Sequence, residues 1–265
     1  MKNKELYNFL TDVLVKLFPF RADISHILLK QTGNSVKAVA AMKDGSLIVN
    51  IESTKPIKEF DGVGCLGSIQ YLHSILMSPA AKDSDEGELE LTYDEINGKQ
   101  VLSTITVKGA HRYSAMYQLS NPDIKRISRV PQLKLQGEDW NTGFAITEKL
   151  ESKFEEMYRI TRSMPKSTGE MEGVFTLVFD GVNTIEGIFG ERSYESSIVL
   201  TDEAEPIKTG RLIAMFPIEK FRQIVKLSPM DTTIIMLCDK AMMVDVVSEL
   251  ATYSYVLTAK KKRDI

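Results

Sequence analysis

Cysteine is nearly missing from this sequence. There are two, Cys65 and Cys238, each within an apolar run. Two distant cysteines build neither a disulfide framework nor a thiolate metal site, which points to a reduced, cytoplasmic protein, or the host cytoplasm if the source is viral. Histidine is almost as scarce. His26, His73 and His111 are far apart, and none has a cysteine or carboxylate at metal-ligand spacing. No metal or cofactor is therefore expected. The sequence has no Walker A stretch and no Gly-x-Ser-x-Gly, and its acids single out no catalytic pair, so no enzyme is expected. No apolar run reaches the roughly 18–20 residues that a spanning helix needs, so no membrane partner is expected. The opening MKNKELYNFL is interrupted by Glu5, Asn8 and Asp12 and does not read as a signal peptide. Positive charge is also lacking: 33 basic against 36 acidic residues give a net charge of −3. That balance argues against a protein that coats nucleic acid by overall charge, but leaves room for a local basic face.

What is present is a repeat. KFEEMYRI at 153–160 recurs 67 residues later as KFRQIVKL at 220–227. Phe154 pairs with Phe221, Met157 with Ile224, Tyr158 with Val225 and Ile160 with Leu227. Apolar residues at i, i+3 and i+4 make one helical stripe, with basic residues beside it. Each copy is followed by a short apolar run ending in an Asp-centred turn, FTLVFDG at 175–181 and IIMLCDK at 234–240. The same unit, a helix and then antiparallel strands, is legible earlier. Residues 5–18 place Leu6, Phe9, Leu10, Val13, Leu14 and Leu17 on one helix face, stopped by Pro19. Strands at 24–30, 36–42 and 47–51 are separated by the turns TGN and KDG. A second helix is expected to open at 61–67 and run to Pro79. Strands follow at 89–93, 101–107 and 111–119, the first two joined by Asn97-Gly98.

Residues 121–143 break the pattern with Pro122 and Pro131 among alternating basic and apolar residues. They read as a crossover, dividing the chain into domains at 1–121 and 144–265 with a connector at 122–143. Beyond it, strands are expected at 144–147, 174–179, 185–190, 194–201, 211–216, 232–238, 242–247 and 253–259. Pro217 starts the last helix. The expected fold is therefore α+β: two domains, each of two helix-plus-antiparallel-strand units, with the helices on one face of the sheets. The polar run at 82–87 reads as a solvated loop, since it lacks the alternation and terminal Glu of a calcium loop. The basic tail at 260–263 reads as a solvated terminus.

One motif suggests different chemistry. Gly62-Val63-Gly64-Cys65-Leu66-Gly67 is a literal G-x-G-x-x-G, which in a dinucleotide fold brings backbone against a pyrophosphate at a helix N-terminus. Its surroundings do not fit. The preceding stretch holds Pro56 and charges, and the next elements are hairpins rather than βαβ units. Glycines that permit a tight strand-to-helix entry account for it better.

Taken with their order, these features resemble the sliding clamps of DNA replication, most closely those of tailed phages. VKAVAAMKDGSLIVNI at 36–51 is similar to the first-domain hairpin of the eukaryotic and archaeal clamps. Gly64 to Gly67 matches a Gly-x-Leu-Gly at the second helix of phage clamps. KLSPMDTT at 226–233 and YVLTAK at 255–260 resemble the last turn and terminal strand of proliferating-cell nuclear antigen. The resemblance implies a homotrimeric ring of six domains, closed by edge strands and lined by helices. It encloses double-stranded DNA without reading sequence, is loaded by an ATP-dependent clamp loader and tethers the replicative DNA polymerase. It further implies DNA-facing roles for Lys4, Lys16, Lys149, Lys153, Arg159, Arg162, Lys220, Arg222 and Lys226. A partner-peptide pocket would use Met42, Ile124, Ile127, Val130, Pro229, Tyr255 and Leu257. Two alternatives stand beside this: a monomeric processivity factor of the same fold, and a nucleotide-dependent enzyme using Gly62–Gly67.

Overall fold

The apolar stripe at the N-terminus forms helix α1 (Lys4–Leu17), which buries Leu6, Phe9, Leu10, Val13, Leu14 and Leu17. Pro19 converts the chain into a single 3-10 turn over Phe18–Phe20. This computed structural model describes residues 3–82, 88–119, 139–163, 173–190, 195–229 and 233–260. The chain divides into two compact units: Met1–Pro131 with Val247–Tyr253, and Gln132–Val246 with Ser254–Ile265. Most of the expected connector lies outside the described residues, as do the polar loop at 83–87 and the end of the basic tail.

In the first unit, β1 (Ile24–Thr32), β2 (Ser35–Met42) and β3 (Leu47–Ser53) form an antiparallel meander. Asp44 and Gly45 make the β2–β3 turn. Gly45 takes a positive φ of 70° and donates its N–H to the Met42 carbonyl at 3.0 Å. Next come β4 (Val63–Leu66), α2 (Ile69–Leu76), β5 (Glu88–Ile96), β6 (Lys99–Lys108) and β7 (Ser114–Gln118). A one-turn helix, Pro79–Lys82, follows α2. The sheet runs β3-β2-β1-β4-β6-β5, with β7 also paired to β6. Asn97 and Gly98 both take positive φ, as a two-residue hairpin turn between right-twisted strands demands. Helix α1 packs on α2 and β5, and α2 on β1. Asp12 of α1 accepts hydrogen bonds from Ser248 Oγ at 2.7 Å and Tyr253 Oη at 2.6 Å, fixing the late segment of this unit.

Two sequence expectations are corrected here. Residues 61–67 do not open a helix. Val63–Leu66 is a strand, antiparallel to β1 through Leu28↔Cys65 and bridged to β6 at Val63↔Val101. The apolar run won the competition because it is flanked by partners on both sides, and the helix waits until Ile69. Likewise 111–113 is not strand. His111 and Arg112 take φ of 56° and 60° in a turn, and β7 begins at Ser114.

In the second unit, β8 (Thr142–Ala145) precedes α3 (Glu148–Ser163), whose first turn is capped by Thr147 Oγ1 accepting from the Leu150 N–H at 3.1 Å. Then follow β9 (Val174–Phe179), β10 (Ile185–Phe189), β11 (Ser196–Thr201), β12 (Glu205–Pro206) and β13 (Leu212–Pro217). Helix α4 (Ile218–Leu227) leads to β14 (Ile234–Leu237), β15 (Ala241–Val247) and β16 (Ala251–Thr258), of which residues 247 and 251–253 belong to the first unit. Pro217 stands just before α4 as its N-cap residue rather than inside it. One sheet is ordered β11-β10-β9-β13 and the other β12-β8-β14-β15-β16. Helix α3 lies on β10 and β11, and α4 on β13. The core between them is aromatic. Phe154 meets Phe221 at 4.8 Å and Phe175 at 5.3 Å, and Phe175 stacks on Phe189 at 5.5 Å.

Candidate nucleic-acid interface

The repeat noticed in the sequence is a physical pairing. Phe154 and Phe221, 67 positions apart, meet ring to ring. The adjacent pair at the same offset, Glu155 and Arg222, forms a forked ion pair: Arg222 Nε donates to Oε1 at 2.7 Å and Nη2 to Oε2 at 3.1 Å. Tyr158, one turn further along α3, donates its hydroxyl to Glu219, one turn further back along α4. Contacts that advance on one helix as they retreat on the other mean that α3 and α4 run antiparallel, with equivalent residues facing each other.

Lys226 adds its Nζ to Glu155 Oε1 at 3.3 Å. The Arg222 guanidinium also lies over an aromatic face, 4.3 Å from the Tyr158 ring centre, and Arg162 lies 5.9 Å from the same ring centre. Burial alone pushes the Glu155 carboxyl up. The hydrogen bonds and charges of Arg222 and Lys226 more than reverse that, leaving it below the usual carboxylate range. Arg222 is raised in turn, chiefly by its bond to Glu155. Pairs at this degree of exposure contribute about 1 kcal/mol or less to stability, so their effect on the local field outweighs their effect on folding.

The other expected DNA-facing cations fall into distinct settings. Lys149, Arg159 and Arg162 are exposed on α3, and among the described residues Lys149 and Arg159 carry no ion pair. Lys153 is half-buried and donates to the backbone carbonyl of Val199 on β11. Lys220 is half-buried on α4. In the first unit Lys4 is exposed and Lys16 half-buried on α1, while α2 has no Lys or Arg. Acidic and basic residues are equal in number on α3 and on α1, and α4 carries one acid against three bases. The helices therefore present a modest positive field, concentrated in the second unit. On α3 three of the four acids lie in the N-terminal half, as the helix dipole favours, while the bases are split evenly, Lys149 and Lys153 before the midpoint and Arg159 and Arg162 after it.

Of the expected peptide-pocket residues, Ile124, Ile127 and Val130 lie outside the described residues. Met42 is 4% exposed, Tyr255 and Leu257 are fully buried on the same side of β16, and Pro229 is exposed. The Gly62–Gly67 motif serves strand packing. A side chain at Gly62 would meet the Gln100 carbonyl oxygen at 2.1 Å, and one at Gly64 would meet Leu102 Cβ at 3.1 Å. Cys65 within it is buried, which pushes its thiol up to about 11 and leaves it unreactive near neutrality. Among the described residues no cluster of His, Cys, Asp or Glu is fit to hold a metal ion, and no helix is long and apolar enough to cross a membrane. Sequence reasoning missed the Glu155 triad, although the 67-residue offset that pairs Glu155 with Arg222 was already visible.

No protein-family model matches the sequence, and no curated protein matches it. Solved structures do match. PCNA from Thermococcus kodakaraensis aligns over 98% of both chains at 10% identity and a TM-score of 0.61. A. fulgidus PCNA, solved with the C-terminal region of FEN-1 bound, aligns over 100% of this chain and 98% of its own at 13% identity and a TM-score of 0.63. The Helicobacter pylori beta clamp aligns over 97% of this chain but only 65% of its own length, at 13% identity and a TM-score of 0.65. The fold of this chain is the two-domain fold of PCNA, an architecture it shares with the bacterial beta clamp.

Proposed function

We propose that this protein is a DNA sliding clamp, a binding and tethering protein without catalysis. It encircles duplex DNA as a homotrimer, is placed there by a clamp loader, and holds the replicative polymerase at the template. The observation that carries this reading is the antiparallel pair α3–α4, with Lys149, Arg159 and Arg162 exposed beside it, on a chain whose whole length follows the PCNA fold. Such helices meet phosphates without reading bases, and enclosure replaces tight binding by keeping the polymerase at high local concentration. A net charge of −3 suits a ring whose outer surface does not hold DNA.

Ring closure needs free strand edges, and each unit offers one. In the first, β7 pairs among the described residues with β6 alone and exposes Met116 at 65%. In the second, β11 ends its sheet and exposes Val199 at 42%. Pairing such edges between copies removes the hazard that an open edge carries. Sedimentation equilibrium tests this. The wild-type chain is expected at three times its 29.8 kDa, and the edge variant M116K/V199K at one chain mass with its fold intact. A wild-type chain that stays monomeric overturns the ring.

A further inference from the structure

Glu155 is placed against the very cations that the DNA-binding reading requires, and this inference rests on that reading. Its carboxylate is 18% exposed, against 27% for the Arg222 side chain and 46% for Lys226. Both oxygens are committed to Arg222, and one of them also to Lys226. The guanidinium is held a second time by the Tyr158 ring, and Tyr158 is itself anchored to Glu219. Two acids and one aromatic ring thus hold two of the three cations of α4, Arg222 and Lys226, against α3.

We infer that Glu155 is a positioning residue that limits the grip of this surface on DNA, by holding Arg222 and Lys226 and cancelling half of their charge. A phosphate approaching this triad meets one net positive charge instead of two. A cation that neutralises a phosphate releases about 0.9 of a counterion, and this sets both the affinity and its salt dependence. A cation already paired releases less. A surface along which DNA must move gains from weak, exchangeable contacts. Glu155 supplies that weakness at the point where α3 and α4 face each other.

The position argues for a charge device rather than a simple brace. The neighbouring Phe154–Phe221 contact already locks the two helices at the same repeat position. Glu155 is also the position at which the repeat reverses charge, since an acid on α3 answers an arginine on α4.

The test is the affinity of the full-length chain for a short fluorescent duplex, measured by anisotropy across a series of salt concentrations. E155Q keeps the shape and removes the charge. It is expected to bind more tightly than wild type, with the plot of log affinity against log salt steeper by about 0.9 for each cation released. The swap E155R/R222E restores an oppositely charged pair and is expected to return the slope to the wild-type value. Unchanged or shallower slopes in a folded E155Q protein overturn the role of Glu155, as does a swap that binds like E155Q. If the wild-type chain shows no salt-dependent binding, this proposal falls, whereas the clamp reading is decided separately by retention on circular against linearised DNA.

Discussion

At the scale of single residues, Gly62 separates two kinds of constraint. Its φ of 77° disfavours any side chain, and a Cβ there would sit 2.1 Å from the Gln100 carbonyl oxygen. Gly33 has a similar φ of 62° but open space around it. G62A is therefore expected to cost about 2–4 kcal/mol, left-handed strain plus overlap, whereas G33A is expected to cost only the strain of about 1–2 kcal/mol. Denaturant unfolding of both variants measures this, and equal costs would remove the packing role given to Gly62. The same glycine shows what a motif means once it has a context. In the sequence it belongs to a phosphate-cradle pattern, and in the fold it lets β4 lie against β6.

At the scale of elements, the helix pairs carry the account. Of the cations expected to face DNA, Lys149, Arg159 and Arg162 are exposed on α3 and Lys4 on α1, Arg222 and Lys226 are held by Glu155, and Lys153 is engaged with Val199 on β11. Reversing K149E, R159E and R162E together is expected to lower the salt slope of duplex binding by up to about 0.9 for each residue, without changing oligomeric state. The same slope in the triple variant would take the DNA contact away from α3. Much of this was legible beforehand. The apolar stripes of 5–18, 153–160 and 220–227 located three of the four helices of more than one turn among the described residues, because each buries one face against a sheet and nothing local opposes it. The second helix was placed too early, because strand pairing on both sides of 63–66 outweighed local appearance. The turn at His111 and Arg112 was hidden because positive φ is uncommon for any residue other than glycine, even for histidine, which adopts it more often than arginine does. Side-chain pairing was the least legible feature. The repeat aligned Glu155 with Arg222, but only the antiparallel packing turned that alignment into a contact.

At the scale of the whole molecule, the account stands on enclosure. A chain with more acid than base, and with helices whose charge is nearly balanced, has little means of holding DNA by attraction alone. Closed around a duplex, it needs none. Topology and affinity make opposite predictions about DNA ends, so the most direct measurement is retention of the loaded protein on circular DNA before and after linearisation, at salt high enough to screen the helix charges. Enclosure predicts a protein that stays on the closed circle and is lost when the circle is cut. Equal retention on both forms, or equal loss from both, would contradict it.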